Sequence, residues 1–224
     1  GKTTAIIGPN GAGKSFFLRS LAGLENAVTG SILVDGNDIF SKLEELPKII
    51  SWNPERIEVP FNYSVNDIAI MGRYPIHKGS PNQNDQDAVD KSFNSLSISH
   101  LRDRKINELS SGEIKKVHLA RTLASENPII LLDEPTANLD IAAKSETLAA
   151  LKEYTAAGKT AVTVIHDLQL AYRFCDYVIM IKSGKLIAPG NVDSTLNHEK
   201  VQEVFGADSE IVTLKDGRKQ LITL

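Results

Sequence analysis

Apolar residues occur along the chain in short runs that alternate with longer amphipathic segments. The first run, "KTTAII", reads as a buried strand, and a glycine loop and a helix from about Lys14 to Ala22 follow it. After Pro128 the pattern predicts strands at 129–132, 160–165 and 177–182, separated by a helix over about 141–157 and by a second helix. Strands separated by helices are typical of a mainly parallel sheet covered on both faces, so the pattern predicts the α/β class.

The middle of the chain follows a different pattern. From about Glu55 to Ser125 it is mostly helical, and "RYPIHKGSPNQN" is predicted to be a loop between two helices. Two short stretches favour small antiparallel elements: "SILVDGND" reads as a strand that ends in an Asp-Gly turn, and "EIVTLKDGRKQLITL" as a hairpin. We therefore expect a helical lobe inserted into a sheet-forming core.

Composition limits the classes of protein to consider. The chain has 224 residues, 42% of them hydrophobic and 24% charged, which is ordinary for one soluble globular domain with or without a subdomain. A net charge of −3 gives no reason to expect a nucleic-acid surface, and runs such as "PIILL" are too short to cross a bilayer. The lone Cys175 excludes an internal disulfide and a multi-cysteine metal site. Because the chain begins at Gly1, directly at a strand, we expect further residues upstream.

The strongest chemical signal is "GPNGAGKS", residues 8–15, which fits G-x-x-x-x-G-K-[ST] between a strand and a helix. The glycines let successive backbone N–H groups approach phosphates closely. Lys14 would place its ammonium on the β and γ phosphates, and the Ser15 hydroxyl would complete a Mg²⁺ shell. The alternative is an ordinary turn and helix cap. The motif predicts nucleoside triphosphate binding by Gly8, Pro9, Asn10, Gly11, Ala12, Gly13, Lys14, Ser15 and Phe16.

A second signal is "IILLDEP", a hydrophobic strand that runs into two adjacent acids. In a P-loop fold, an Asp at the carboxyl end of a neighbouring strand reaches the Mg²⁺, so Asp133 is predicted to take that role. Glu134 would then lie beside the γ phosphate, where a general base can polarise an attacking water. Without the P-loop, two solvated acids at a strand end would be the ordinary reading.

A third signal is "LSSGEIKKVHLAR", in which two serines and a glycine precede a helical pattern. Small residues at a helix start expose backbone N–H groups, and the helix dipole adds partial positive charge. The segment is therefore predicted to bind an anion, although no phosphate motif surrounds it.

Together these motifs resemble the ATP-binding cassette (ABC) family, the ATPase subunits of ABC transporters. The resemblance covers essentially the whole chain, 1–224, read as a single domain. It includes, in order, "GPNGAGKS", a glutamine-loop region "SWNPERIEVPFNYSV", the signature "LSSGE", "IILLDE", the D-loop "ANLD" and the switch "IHD". The resemblance implies a P-loop NTPase with a RecA-like core at about 1–54 and 126–224, and a helical signature subdomain at about 55–125.

The resemblance also implies roles in a homodimer that holds two ATP molecules between head-to-tail copies. The signature of one copy, Ser110, Ser111, Gly112 and Glu113, would close over ATP bound to the glycine loop of the other. Asp140 would cross the interface, and His166 would hydrogen-bond the γ phosphate and join Lys14 and Glu134 as a catalytic residue. A satisfied strand-end histidine is the alternative for His166. Glu55 occupies the glutamine-loop position and is predicted to join Ser15 and Asp133 at the metal, or else to point to solvent.

The helical segment "NYSVNDIAIMGRYP" resembles the importer ATPases for iron chelates, haem and vitamin B12. It implies a peripheral subunit on the cytoplasmic face of the inner membrane, which works with integral permease subunits and indirectly with a substrate-binding protein. Iron chelates are the first expectation, and vitamin B12 and metal ions are the alternatives. A soluble ABC ATPase that acts on ribosomes or DNA is a further alternative, but such proteins usually carry two cassettes or a long coiled coil, and neither is present.

Three features depart from the family pattern. The aromatic that normally stacks on adenine would precede Gly1, so no base-stacking residue is predicted. Phe16 replaces a hydroxyl residue, at a cost of about 1 kcal/mol for one lost hydrogen bond to the α phosphate. Ser111 replaces the first glycine of the signature, which a helix start tolerates.

Overall fold

The computed structural model describes residues 1–26, 29–57, 60–213 and 219–223. Its strands are β1 (Thr3–Ile7), β2 (Leu33–Val34), β3 (Asn37–Asp38), β4 (Ile50–Asn53), β5 (Ile129–Asp133), β6 (Thr160–Val164), β7 (Tyr177–Lys182), β8 (Lys185–Asn191), β9 (Ser209–Thr213) and β10 (Lys219–Thr223). Its α-helices are α1 (Lys14–Leu21), α2 (Val65–Ile70), α3 (Tyr74–His77), α4 (Gln83–Ser95), α5 (Ser111–Ala124), α6 (Ile141–Ala156), α7 (Leu168–Phe174), α8 (Val192–Thr195) and α9 (His198–Phe205).

The central sheet has the strand order β4-β5-β6-β1-β7-β8. Its first five strands are parallel, and β8 pairs antiparallel with β7 at the edge. The predicted mainly parallel sheet is therefore confirmed. In register, Asp133 at the end of β5 lies opposite Val164, and Val164 lies opposite Ile6. The loops that follow β1, β5 and β6 consequently leave the same edge of the sheet.

The middle strands are apolar because both of their faces are covered. Ala5, Ile6 and Ile7 of β1 have no solvent exposure, and neither do Ile130 and Leu132 of β5. Helices on the two faces need apolar side chains at successive positions, which explains the continuous runs in the sequence. This packing fixes the strand ends from which the loops of the site emerge.

The segment between β4 and β5 is helical, as its pattern predicts. Val65 of α2, Phe93 of α4 and Val117 of α5 are fully buried in one shared cluster. The expectation of a loop over residues 73–84 was partly wrong, because Tyr74–His77 form a helical turn. Proline is compatible with the first turn of a helix, where its missing N–H has no partner to lose. The bounds of a separate subdomain at about 55–125 stay a prediction.

Two small antiparallel pairs complete the fold. β2 and β3 are joined through Asp35 and Gly36, which both have positive φ, 50° and 79°, as an Asp-Gly hairpin turn requires. β9 pairs with β10 as predicted from the C-terminal pattern, and residues 214–218 between them lie outside the described residues. Within the described ranges, no helix has the length and apolar character needed to span a membrane.

Candidate nucleotide-binding and hydrolysis site

The glycine loop lies between β1 and α1 against the backbone of β7. A Cβ at Gly8 would lie 2.0 Å from the carbonyl oxygen of Ile181, so only glycine fits there. Gly13 has a φ of 100° at the N-cap of α1, where a side chain would be strained. In the described part of the chain no side chain caps this helix start and no acid lies in its first turn. The loop therefore presents unobstructed backbone N–H groups to an anion.

The Lys14 side chain folds back onto the glycine loop. Its ammonium donates hydrogen bonds to the carbonyl oxygens of Gly8, at 2.9 Å, and Pro9, at 3.0 Å. Burial lowers the pKa of Lys14, whereas the nearby carboxylates of Glu134 and Asp133 raise it. The cation is thus held at the mouth of the loop, between the loop and the acids that follow β5.

Ser15 and Asp133 meet across the sheet edge, since the Ser15 Oγ donates to the Asp133 Oδ1 at 3.1 Å. Burial raises the pKa of Asp133, the hydrogen bond from Ser15 opposes this, and the charges of Glu134 and Glu55 add to the rise. A hydroxyl and a desolvated carboxylate are hard oxygen donors of the kind that Mg²⁺ prefers. A divalent cation would relieve the repulsion among these acids, so the residues present fit this ion.

Glu134 and His166 form the second pair at this edge. The ring Nε2 of His166 contacts the Glu134 Oε1. Glu134 has a φ of 51°, a left-handed conformation that costs a non-glycine residue about 1 kcal/mol or more and is typical of functional turns. Asp167 fixes the position of His166 on the other side, because its carboxylate accepts the N–H groups of Gln169 and Leu170 at the start of α7.

Glu55 lies beside this site, in the loop that follows β4. With Asp133 and Glu134 it lines a cavity of about 200 Å³ between that loop and α5. Its carboxylate also lies 3.7 Å from the Nε of Arg56, and 44% of its side chain is exposed. The structure brings Glu55 to the predicted metal ligands, but its metal contact stays a prediction. Glu58 and Val59, which the glutamine-loop region includes, lie outside the described residues.

The signature residues lie at the start of α5, as the helical pattern predicts. Ser110 is the N-cap: its Oγ accepts the N–H of Glu113 at 3.3 Å, and the carboxylate of Glu113 accepts the N–H of Ser110 at 2.8 Å. The same carboxylate accepts the Ser110 hydroxyl, and these hydrogen bonds hold the pKa of Glu113 below its usual range. The expectation of bare N–H groups is therefore met only in part, since the chain's own acid occupies this helix start.

Ser110 and Ser111 are exposed, and among the described residues no hydrogen bond joins them or Gly112 to residues 8–16. Asp140, the D-loop residue, is exposed too, and its carboxylate accepts the N–H of Ala143 at 2.8 Å as the N-cap of α6. Phe16 has 55% of its surface exposed at the start of α1. The predicted site residues thus form two groups. The glycine loop lies with Ser15, Asp133, Glu134 and His166, and the signature residues at the start of α5 form a separate group.

The motifs of the sequence did not single out two residues of α5. Lys115 approaches the Glu134 carbonyl oxygen at 3.4 Å. His118 is 5% exposed and neither ring nitrogen has a hydrogen-bond partner among the described residues; burial lowers its pKa to about 4. Both side chains line the cavity of Glu55. Nothing in a helical pattern distinguishes them from solvent-facing or core positions.

Comparison with known proteins places these features in context. Residues 1–137 match the family described as ABC transporter. The hemin import ATP-binding protein HmuV of Gloeobacter violaceus is 33% identical over 220 residues, which cover 95% of this chain and 80% of that protein. The iron(3+)-hydroxamate import ATP-binding protein FhuC of Bacillus subtilis is 33% identical over 217 residues, covering 95% of this chain and 81% of that protein.

A cobalamin import ATP-binding protein, BtuD of Halobacterium salinarum, is also 33% identical, over 92% of this chain but only 52% of its own length. Among solved structures, an ABC transporter described as of metal-chelate type, in an inward-facing conformation, matches with a TM-score of 0.84 and 27% identity. That match covers 100% of this chain and 86% of the other.

Proposed function

The chain belongs to the ABC transporter family, and on that premise we propose that it hydrolyses ATP to drive a membrane importer of iron chelates. The observation that supports this most is the convergence, at one sheet edge, of the glycine loop, the Ser15–Asp133 pair and the Glu134–His166 pair. These groups separately provide phosphate binding, a metal ligand set and a base beside the γ phosphate. The helical lobe at about 55–125 and the RecA-like core on either side of it are part of the same proposal.

Phosphate binding is the role of the loop over residues 8–16. The backbone N–H groups at the start of α1 point at the phosphates, and the dipole of the helix favours their negative charge. Lys14 exchanges its bonds to the Gly8 and Pro9 carbonyls for the β and γ phosphates. Because its ammonium is already desolvated, little additional desolvation accompanies this exchange.

Glu134 is the general base, and its carboxylate accepts a proton from the attacking water. The ring Nε2 of His166 contacts that carboxylate in this structure; with ATP bound it would hydrogen-bond the γ phosphate in its place and position the water. Ser15 and Asp133 would hold a Mg²⁺ ion, with Glu55 at the side of the cavity, and the ion would neutralise charge on the β and γ phosphates.

The second half of each site would come from another copy of the chain. Ser110 and Ser111 are exposed and Gly112 is half-buried, and among the described residues none of the three makes a hydrogen bond to its own glycine loop, which favours a ligand on a partner. In a two-fold, head-to-tail homodimer these residues would close over the partner's ATP. Asp140 is exposed near the same face and would cross to the opposite site.

Membrane permease subunits are the partners that this family of import ATPases works with. The helical segment carries exposed apolar side chains that support a docking role, namely Phe61 (65% exposed), Met71 (42%), Tyr74 (61%) and Ile76 (49%). Docking there would hold the chain peripherally at the cytoplasmic face of the inner membrane. A substrate-binding protein would act on the other side of the permease and would not touch this chain.

Iron chelates are proposed as the cargo because the relatives HmuV and FhuC are named for hemin and iron(3+)-hydroxamate import, and the solved transporter is of metal-chelate type. Cobalamin is the second candidate, because BtuD has the same identity over nearly the same share of this chain.

The test is uptake in a strain that lacks the gene for this chain. We expect uptake of labelled hemin or an iron(III)-hydroxamate to fall to background, and to recover with the wild-type gene but not with Glu134→Gln. Loss of cobalamin uptake alone would move the assignment to the second candidate. Unchanged uptake of all three compounds would refute the importer proposal.

A further inference from the structure

Two consecutive lysines of α5 turn to different parts of the molecule. Lys116 is partly buried and pairs with Glu146 on α6. Lys115 is partly buried, and its ammonium lies 3.4 Å from the carbonyl oxygen of Glu134. One lysine thus stabilises a helix pair, whereas the other reaches the backbone of the proposed catalytic base.

The Glu134 carbonyl belongs to a turn with a strained backbone conformation. Glu134 has a left-handed φ of 51°, and its carbonyl oxygen also accepts the N–H of Ala137 at 3.2 Å. A carbonyl oxygen has two acceptor sites, and Lys115 lies at the second. A donor from another element can hold a strained turn in one conformation when the turn itself would relax.

Charge reinforces this contact. Lys115 lines the cavity of Glu55, Asp133 and Glu134. Burial lowers the pKa of Lys115 most, while the carboxylates of Glu55 and Glu134 raise it and Arg56 lowers it. The ammonium is therefore attracted to both acids, one on the loop after β4 and the other after β5.

We propose that Lys115 is a positioning residue for the base: its ammonium ties the Glu134 turn and the Glu55 loop to the helix that carries the signature. The inference rests on the proposed function, because it requires Glu134 to be the base. It has a consequence for the dimer, since α5 begins with the residues that meet the partner's ATP. Ser110 and Lys115 are five residues apart, about one and a half turns of α5, so engagement of Ser110 by one ATP would act on the helix that holds the base for the other ATP.

The matched pair of variants is Lys115→Met and Lys116→Met in the full chain. Methionine keeps an unbranched apolar stem and removes the charge, so both lose a lysine on one helix. We expect Lys115→Met to lower kcat for Mg-ATP hydrolysis about tenfold, the effect of one lost charge-assisted hydrogen bond, with KM within about twofold. Lys116→Met should stay within about twofold on both parameters, and Lys115→Arg should recover most of kcat because it keeps charge and donors.

A second measurement separates positioning from general destabilisation. If Lys115 acts through Glu134, then adding Lys115→Met to Glu134→Gln should lower the residual phosphate release by less than about twofold, because the group being positioned is already gone. A full further tenfold loss, or equal effects of Lys115→Met and Lys116→Met, would overturn the inference. A loss of ATP binding in Lys115→Met that Lys115→Arg does not restore would overturn it as well. Absence of hydrolysis by the wild-type chain with Mg-ATP would instead refute the proposed function.

Discussion

The chain contains two helix starts rich in small residues, and they are built differently. At α1, Gly13 is the N-cap in a left-handed conformation; the described residues supply no side-chain cap there, and no acid lies in the first turn. At α5, Ser110 and Glu113 form a reciprocal capping box, so a carboxylate already lies against the helix start. Both have the dipole and N–H groups that attract anions. At α5 the capping box occupies the N–H groups of Ser110 and Glu113, so an anion there would also meet the carboxylate of Glu113.

The difference matches the two roles proposed for these helix starts. The first must bind phosphates before any partner arrives, and in the described part of the chain no side chain caps its N–H groups. The second would meet phosphates only when another copy brings them, and until then its capping box stabilises the helix. A capping residue typically contributes about 1 kcal/mol to helix stability. In the proposed dimer, closure would therefore compete with the capping box at α5, whereas at α1 the phosphates would replace only the bonds of Lys14 to the Gly8 and Pro9 carbonyls.

The largest effect is expected from Glu134→Gln, which lets both helix starts hold the same ATP without consuming it. Glutamine keeps the size of the side chain but cannot accept the proton of water, so turnover should fall at least about 10²-fold. ATP binding should persist, and gel filtration with Mg-ATP should then show a dimer peak. Near-normal turnover in this variant would contradict the role of Glu134 as the base.

Lys14→Ala should break the first helix start. The variant loses the ammonium that now bonds the Gly8 and Pro9 carbonyls and would contact the phosphates. A hydrogen bond to a charged group contributes about 1.5–3 kcal/mol, so ATP affinity should fall about 10- to 100-fold. Titration of fluorescent ATP into the two proteins measures this, and equal affinities would place the phosphates elsewhere.

Mixed dimers can show whether the two helix starts belong to one site. A Gly112→Asp chain should damage the site built on its partner's Lys14, because a carboxylate at α5 repels the γ phosphate. Among the described residues, a Cβ at Gly112 would meet Leu139 Cδ2 at 3.5 Å, an ordinary van der Waals contact, so the backbone there accepts a side chain.

When Gly112→Asp chains are paired with Lys14→Ala chains, both defects fall in one composite site, and about half of the wild-type hydrolysis should remain if sites act independently. The control is a mixture of Gly112→Ala and Lys14→Ala chains, in which the small side chain leaves the signature uncharged. Damage confined to the mutant chain's own glycine loop would contradict the head-to-tail arrangement.

Much of this fold could be predicted from periodicity because central strands and helices repeat their pattern. The strand at 177–182 was predicted with the bounds of β7, and α1 and α6 within one residue of their predicted ends. The edge strand β8 was not predicted, since "KLIAPGN" contains Pro and Gly and reads as a loop. At an edge, Pro189 loses no essential ladder bond, which explains why the strand forms.

The residues of the candidate site likewise divide into those that the sequence predicts and those that it does not. Gly8, Lys14, Ser15, Asp133 and Glu134 could be identified because their motifs are contiguous in sequence. Lys115 could not, because its proposed role depends on a contact between α5 and Glu134, which lies nineteen positions further along the chain. Only the packing of α5 against the sheet edge reveals it.

The smallest effect is expected from Glu113→Gln, which tests whether the capping box competes with dimer closure. Because its hydrogen bonds lower the pKa of Glu113 in the folded chain, its contribution to stability is complete above the unfolded pKa of about 4.3 and is lost as pH falls through the folded pKa. Glutamine retains an acceptor for the Ser110 N–H but no charge, so it should remove that acid-dependent part of the unfolding free energy.

At neutral pH the variant should lose a few tenths of a kcal/mol of unfolding free energy. It should also gain slightly in ATP-dependent dimerisation, since less negative charge faces the incoming phosphate. The matched control is Glu108→Gln, an exposed acid that lies before α5, pairs with Arg104 and accepts the N–H of Lys105 in a capping box of its own. Urea unfolding between pH 3 and pH 7 and Mg-ATP gel filtration measure both effects, and weaker dimerisation by Glu113→Gln would mean that Glu113 supports the closed dimer instead of competing with it.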